Sequence, residues 1–509
     1  MALKRKLFGH SSVYALGSFL EQGMGVILFP LYTRVLTQED YGIIGYCRSV
    51  TGVVTIFLGL GLHGAASRLY FEYRDDPKAL KEFWGTVFVA LFVFSISVGM
   101  GLAFFGGPLF GPILGEIPFY PFVAIALVTA SAAPFLGAYL RILQTRHQSF
   151  AFIILNSTRF LASMLLIIYL VVGRGMGALG PLTSYAVMSV LYLLISLFLI
   201  RKDLTICFHW KYFRQALGYS IPILPTATAG RVSVVADRII LNKYIGPDPL
   251  GVYHAGYQMG YPLSVIEIAI NSAFSPIFRD AMKTEDEDKL RELKRIGLFL
   301  VFGYCVLGSS MAFFAREIVW IAAGPRYQEA FIVVPFIAFY FSLHGIYSLF
   351  VSPLQYYRHT LWFGFPIVTG GMILNVLLNL WWIPIPSLGI IGAAMAALST
   401  QSSVTVVTAL VGARYSKIHW QYGRYAAMAI VAVGVGVGIN FLPLEVGWGV
   451  LGLKVLGLVA LSSILSSIGW NDPLYIARRG RSEWRRLQER RRKMSAEFIE
   501  EDVENSELE

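Results

Sequence analysis

The chain has 509 residues, 56% of them hydrophobic and only 14% charged, with a formal net charge of +11. Soluble domains carry about a quarter charged residues, so this composition excludes an ordinary water-soluble enzyme and points to an all-α integral membrane protein. Apolar runs of roughly 20 residues, enough to cross a ~30 Å hydrocarbon core, recur without the ~10-residue alternating segments of a membrane β-barrel.

The first apolar run follows a basic start, MALKRKLFGHSSVYALG. It is roughly 25 residues long and lacks an A-x-A cleavage site, so it reads as a retained helix. In chain order, fourteen spans are expected near 11–36, 42–66, 82–106, 119–142, 149–172, 178–200, 214–243, 249–276, 294–315, 328–353, 361–384, 387–413, 422–442 and 447–469. Lysine and arginine orient this ladder. Loops on one side hold 32 of the 42 basic residues, while the other side keeps Arg34, Arg174, Lys243, Arg316 and Arg326. Basic loops mark the cytoplasmic face, so a multi-pass cell-membrane protein with both termini cytoplasmic is expected. The net charge is thus a topology signal, and no nucleic-acid partner is expected. Two cytoplasmic loops, YRDDPKALKEF and RDAMKTEDEDKLRELKR, read as amphipathic interfacial helices and not as metal sites. Cys47, Cys207 and Cys305 form no disulfide or zinc spacing.

The stretch FPLYTRVLTQEDYGIIGY after the first span recurs as NKYIGPDPLGVYHAGY after the seventh. Shifted by 209 residues, Arg34 meets Lys243, Leu36 meets Ile245, Glu39 meets Asp248 and Gly42 meets Gly251. In each copy a proline-bearing helix (Pro30; Pro222 and Pro225) ends in a basic residue, an acidic outer turn follows, and a glycine opens the next helix. Arg34, Glu39 and Asp40 are expected in water. Six is an even number, so the two copies keep one orientation and form a parallel repeat with a midplane site between the halves. The expected lobes are 1–206 and 207–420, with a helix pair at 421–470 and a cytoplasmic tail at 471–509.

The turn R-V-L-x-x-x-x-Y-G-I, the six-plus-six repeat and the extra helix pair together resemble the polysaccharide flippases. These belong to the multidrug/oligosaccharidyl-lipid/polysaccharide exporter superfamily, which includes O-antigen and lipid II flippases. The resemblance covers residues 8–470. It implies two six-helix bundles around a central cleft and export of a polyprenyl-pyrophosphate glycolipid. In the lipid II flippases a cationic central cavity binds the pyrophosphate; Arg48 is similar to that pattern only in lying on the second span.

Ionisable side chains within spans cost about 2.5–3.5 kcal/mol each on insertion scales and mark function. The first twelve spans contain Glu21, Arg48, Arg159, Arg231, Asp237, Arg238 and Glu267. Each sits in a polar stripe at helical spacing: Tyr14, Ser18 and Glu21; Arg48, Thr51 and Thr55; Asn156, Arg159 and Ser163; Thr228, Arg231 and Arg238; Ser264, Glu267 and Asn271. Guanidinium forks pair bidentately with phosphate oxygens. Arg48, Arg159, Arg231 and Arg238 are therefore the candidates to bind the pyrophosphate and glycan. Glu21, Asp237 and Glu267 are candidates for H⁺ or Na⁺ coupling or for ion pairing, and Asp237 with Arg238 also reads as a pair locking the halves together. Lys454, alone on the last span, is expected to snorkel to the headgroups. No other cofactor is called for.

The tail NDPLYIARRGRSEWRRLQERRRKM reads as a juxtamembrane helix on anionic lipid, followed by a disordered acidic end. Glycan polymerase or assembly proteins are possible partners. Three other classes stay open: a drug–cation antiporter of the same fold, a membrane-embedded glycan polymerase or ligase, and a scaffold. No Walker A pattern occurs, which argues against direct use of ATP.

Overall fold

A computed structural model describes residues 25–221, 224–284, 286–357, 360–415, 418, 420–443 and 446–470. Glu21, Pro222, the basic amino terminus and the tail lie outside them. The described residues are helical, and no strand occurs among them. α1 (Gly25–Val35), α2 (Gln38–Leu58), α3 (Pro77–Phe105), α4 (Phe119–Thr145), α5 (Ser149–Gly173) and α6 (Leu179–Ile200) come first. α7 (Trp210–Ser220), α8 (Leu224–Ile245), α9 (Pro247–Gly260) and α10 (Pro262–Thr284) follow. α11 (Glu287–Phe313), α12 (Val334–Tyr356), α13 (Gly364–Trp382), α14 (Gly389–Tyr415), α15 (Tyr422–Phe441) and α16 (Trp448–Trp470) are the remaining long helices among the described residues.

Eleven of these helices are long and apolar enough to cross a membrane. The expected fourteen are not reached by that measure, for reasons visible in three places. The first expected span is described only from Gly25. The seventh becomes α8, whose 22 residues carry Arg231, Asp237, Arg238 and Lys243. The eighth is split between Gly260 and Pro262, because proline lacks the N–H that would continue the ladder; the hydroxyl of Ser264 caps the break by donating to the Tyr261 carbonyl at 2.7 Å. The loop RDAMKTEDEDKLRELKR is not a separate interfacial helix. α10 runs through to Thr284, and α11 begins at Glu287 under an Asp286 cap that accepts from the Asp288 N–H.

Asp40 does not sit free in water. Thr37 and Asp40 form a capping box on α2, and Asp40 also accepts from the Ala178 N–H at 2.8 Å. Lys454 does not snorkel either. It is 4% exposed and donates to both oxygens of Glu317, at 2.7 and 2.8 Å, pinning α16 to the short helix after α11.

The repeated turns meet each other. A Cβ at Gly42 would stand 2.2 Å from the Pro247 carbonyl oxygen, and one at Gly251 1.9 Å from the Gln38 carbonyl oxygen. Residues 42 and 251, like 38 and 247, are 209 apart, so these are one contact seen from both sides. The pattern repeats farther out. A Cβ at Gly324 would meet the Thr33 carbonyl oxygen at 2.3 Å, and one at Gly115 the Lys243 Cα at 3.2 Å. Only glycine permits backbones to approach this closely.

One apolar core runs through this junction, from Phe29, Tyr41 and Ile44 into Tyr253, Val333 and Ile337. A second, separate core fills the other end of the first half, around Phe83, Trp84, Phe135 and Ala216. The halves are therefore fused at the end bearing Arg34 and Lys243, and their cores part at the opposite end. The segment before α8 belongs to the first half. Thr205 N–H donates to the Lys81 carbonyl, His209 N–H to Thr86 Oγ1, and Ser220 Oγ to the Gly61 carbonyl. The expected boundary at 206 cuts through this strap.

Candidate functional site

α2 and α8 supply the central charges. Arg48 and Arg231 are both solvent-exposed although each lies well inside a long helix. The guanidinium of Arg48 lies 5.5 Å from the ring of Tyr185 on α6, whose hydroxyl is 3.5 Å from that of Tyr32 on α1. Arg231 reaches across from the other half: its Nη1 is 3.4 Å from the position a Cβ would take on Gly52, one turn from Arg48. Two guanidiniums from opposite halves thus face one cleft.

Behind Arg231 a cavity of about 320 Å³ opens between α8, α9, α12, α13 and α14. Asp237 lies in its wall, 3% exposed, with Oδ1 accepting from Asn379 Nδ2 at 2.6 Å and Oδ2 accepting from the Tyr253 hydroxyl at 3.3 Å. Glu267, 4% exposed, accepts from Ser348 Oγ at 2.8 Å and lies 3.5 Å from His344 Nδ1. His344 in turn faces the cavity. The acids are held by the protein, whereas the two arginines are open to the cleft.

Arg238 is placed differently from Arg231. It is 2% exposed, donates to the Val234 carbonyl at 2.7 Å and lies 4.7 Å over the Tyr257 ring. It lies beside Asp237 and is not among the residues lining the cavity. Arg159 is half-buried on α5 between Asn156 and Ser163, each 3% exposed and packed inside the first half. Its two stripe neighbours thus face the bundle interior, while Arg159 itself keeps part of its surface open. Thr51, on the stripe of Arg48, donates to the Ala126 carbonyl on α4.

Sequence reasoning missed His344, Ser348, Asn375 and Asn379. The available signal was a polar residue repeated at i and i+4 within an apolar span, as in His344/Ser348 and Asn375/Asn379. Among the described residues no cluster of His, Cys, Asp and Glu could hold a metal ion.

The fold has solved relatives. The lipid II flippase MurJ in an inward closed conformation superposes with a TM-score of 0.68 at 15% identity, covering 90% of this chain and 98% of that one. A multidrug resistance MATE family transporter of the MOP superfamily, in an inward-facing conformation, gives 0.64 at 13% identity, covering 80% and 95%. Protein 1 of the Lsg locus of Haemophilus influenzae is 25% identical over 291 residues, 55% of this chain and 67% of the relative. A family model described as "Polysaccharide biosynthesis protein" matches residues 9–282. That match spans more than half of the chain, which therefore belongs to the polysaccharide biosynthesis protein family and has the fold of the MOP-superfamily transporters.

Proposed function

We propose that this protein flips a polyprenyl-pyrophosphate-linked oligosaccharide from the cytoplasmic to the outer leaflet of the cell membrane by alternating access. The observation that carries this reading is the pair Arg48 and Arg231, exposed within spans and drawn from opposite halves toward one cleft. A pyrophosphate crossing hydrocarbon bare would meet a prohibitive desolvation cost. Two guanidiniums in a protein-lined path replace its water with charge-assisted hydrogen bonds. The prenyl tail stays in lipid throughout. Fusion of the halves at the Arg34/Lys243 end, with separate cores at the other, is what a state open to the basic-loop side would need.

In this reading the protein is a transporter and not an enzyme, with both termini in the cytoplasm. Asp237, set in the cavity wall, is the favoured group to hold a coupling H⁺ or Na⁺; Glu267 and Glu21 are the others. The basic tail lies on anionic lipid, and glycan polymerase or assembly proteins are the protein's partners. The rival drug exporter of cations would need acids open to the cleft, whereas Asp237 and Glu267 are 3% and 4% exposed and hydrogen-bonded.

The test is leaflet-to-leaflet transfer of labelled polyprenyl-pyrophosphate oligosaccharide in liposomes. A hydrogen bond to a charged group contributes about 1.5–3 kcal/mol, so Arg231→Ala and Arg48→Ala are each expected to slow transfer by roughly tenfold to a hundredfold. Wild-type rates in both variants would remove the arginines from the site. No transfer by the wild type, with ethidium efflux in its place, would establish the drug-exporter reading.

A further inference from the structure

The cavity behind Arg231 contains more than charge. Its wall carries the rings of Tyr257, Tyr340 and Tyr347 and the imidazole of His344, whose ring lies 5.6 Å from that of Tyr347. Set among these rings are Asn375 and Thr400. Asn375 is 2% exposed and Thr400 9%, yet Asn375 Oδ1 and Thr400 Oγ1 have no hydrogen-bond partner in the protein. A buried polar atom left unpaired costs about 1–3 kcal/mol, and a guest in the cavity that Asn375 and Thr400 help to wall would recover that cost once either side chain turned toward it.

We propose that this cavity is a carbohydrate subsite for the first sugar of the cargo, lying next to the pyrophosphate held at Arg231 and Arg48. The inference rests on the flippase reading above and adds the position of the glycan. Four points favour a sugar. Ligand pockets span roughly 300–1,000 Å³, and about 320 Å³ admits one pyranose ring with its first waters. A pyranose presents an apolar C–H face that aromatic rings cover, while its edge carries hydroxyls that amide and hydroxyl groups bind. Arg231 lines the same cavity and is itself exposed, so a sugar bound there sits one linkage from a phosphate on the guanidinium. Glu267, buried and fixed by Ser348, holds the Nδ1 side of His344 and acts as a positioning residue for that ring.

Affinity ratios in detergent-solubilised full-length protein test this. The probes are a short-chain polyprenyl pyrophosphate and the same lipid carrying one glucosyl, galactosyl or N-acetylglucosaminyl unit. At least one sugar is expected to tighten wild-type binding about tenfold over the bare pyrophosphate, equivalent to 1.4 kcal/mol. Thr400→Val, which keeps the shape and removes the unpaired hydroxyl, is expected to bring that ratio toward unity, as is Tyr347→Leu. If Thr400 is merely an unsatisfied core hydroxyl, Thr400→Val instead raises the unfolding temperature and leaves the ratio alone, which overturns the proposal. A ratio of one for every sugar in the wild type also overturns it while leaving the flippase reading intact. Failure to bind even the bare pyrophosphate lipid would remove the flippase reading, and the subsite with it. Thermal protection by sodium alone, lost in Thr400→Val, would assign the cavity to a cation.

Discussion

At the scale of single residues, the pair Lys454–Glu317 is a charge pair closed inside the protein, unlike the exposed Arg48 and Arg231. Both side chains are nearly buried, and the ammonium donates to both carboxylate oxygens. Removing one partner leaves the other charge buried and unpaired, at a cost of about 3–5 kcal/mol, whereas replacing both by apolar groups is often neutral. Lys454→Met alone is therefore expected to lower thermal stability in detergent sharply, and Lys454→Met with Glu317→Leu to recover most of it. Equal small losses in both variants would show that the pair does not hold α16. The contrast also marks what was legible from the sequence. Arg48 and Arg231 stood out because a guanidinium in an apolar run is conspicuous whatever surrounds it. Lys454 was equally conspicuous, but its partner Glu317 is 137 residues away, and pairing over that distance leaves no local trace. Asn375 and Thr400 carry no charge and fit an apolar helix without visible penalty, so their importance emerges only when their unpaired atoms are found in one cavity.

At the scale of elements, the strap from residue 203 to 220 shows why lobe boundaries were hard to read. Its composition continues into α8, yet its hydrogen bonds run to the first half. A Cβ at Gly85 would stand 1.8 Å from the Thr205 carbonyl oxygen, so this glycine admits the strap. Cys207 reports on the contact: burial pushes its thiol up, with Glu82 nearby acting in the same direction. A raised pKa leaves little thiolate at neutral pH, and the thiolate is the nucleophile. Gly85→Val is expected to lift the strap, let the thiol fall back toward its ordinary value and speed maleimide labelling near pH 7. Cys47 and Cys305 are buried and supply little background. An unchanged labelling rate across pH would show that the strap remains seated. The helices themselves were mostly legible, since length and apolarity determine most of them. The exceptions are instructive: α8 carries Arg231 open to the cleft and Asp237 and Arg238 buried beside it, and the α9–α10 break follows from Pro262, which apolarity alone does not register.

At the scale of the whole molecule, the 209-residue register becomes a prediction about movement. Residues 45 and 254 are 209 apart and face one another across the junction, where a Cβ at Gly45 would stand 2.5 Å from His254 Cγ. A pair related to each other by the repeat lies on its pseudo-two-fold axis, where the proposed alternating access would part the halves. Replacing both residues by cysteine removes the imidazole that fills the gap. One further bond beyond Cγ puts the two Cβ atoms within about 4 Å, inside the range a disulfide requires. In a Cys207→Ser background, oxidised Gly45→Cys/His254→Cys is expected to lose glycolipid transfer in liposomes and to recover it on reduction. The bare pyrophosphate lipid should still bind the oxidised protein from the cytoplasmic side, because the bond lies at the Arg34/Lys243 end and leaves the other entrance clear. The two readouts together separate a locked transporter from a damaged one: a damaged protein loses both, and reduction restores neither. Full transfer with the disulfide quantitatively formed would mean that the halves do not separate at this junction, and the cleft between Arg48 and Arg231 would then need another route to the outer face.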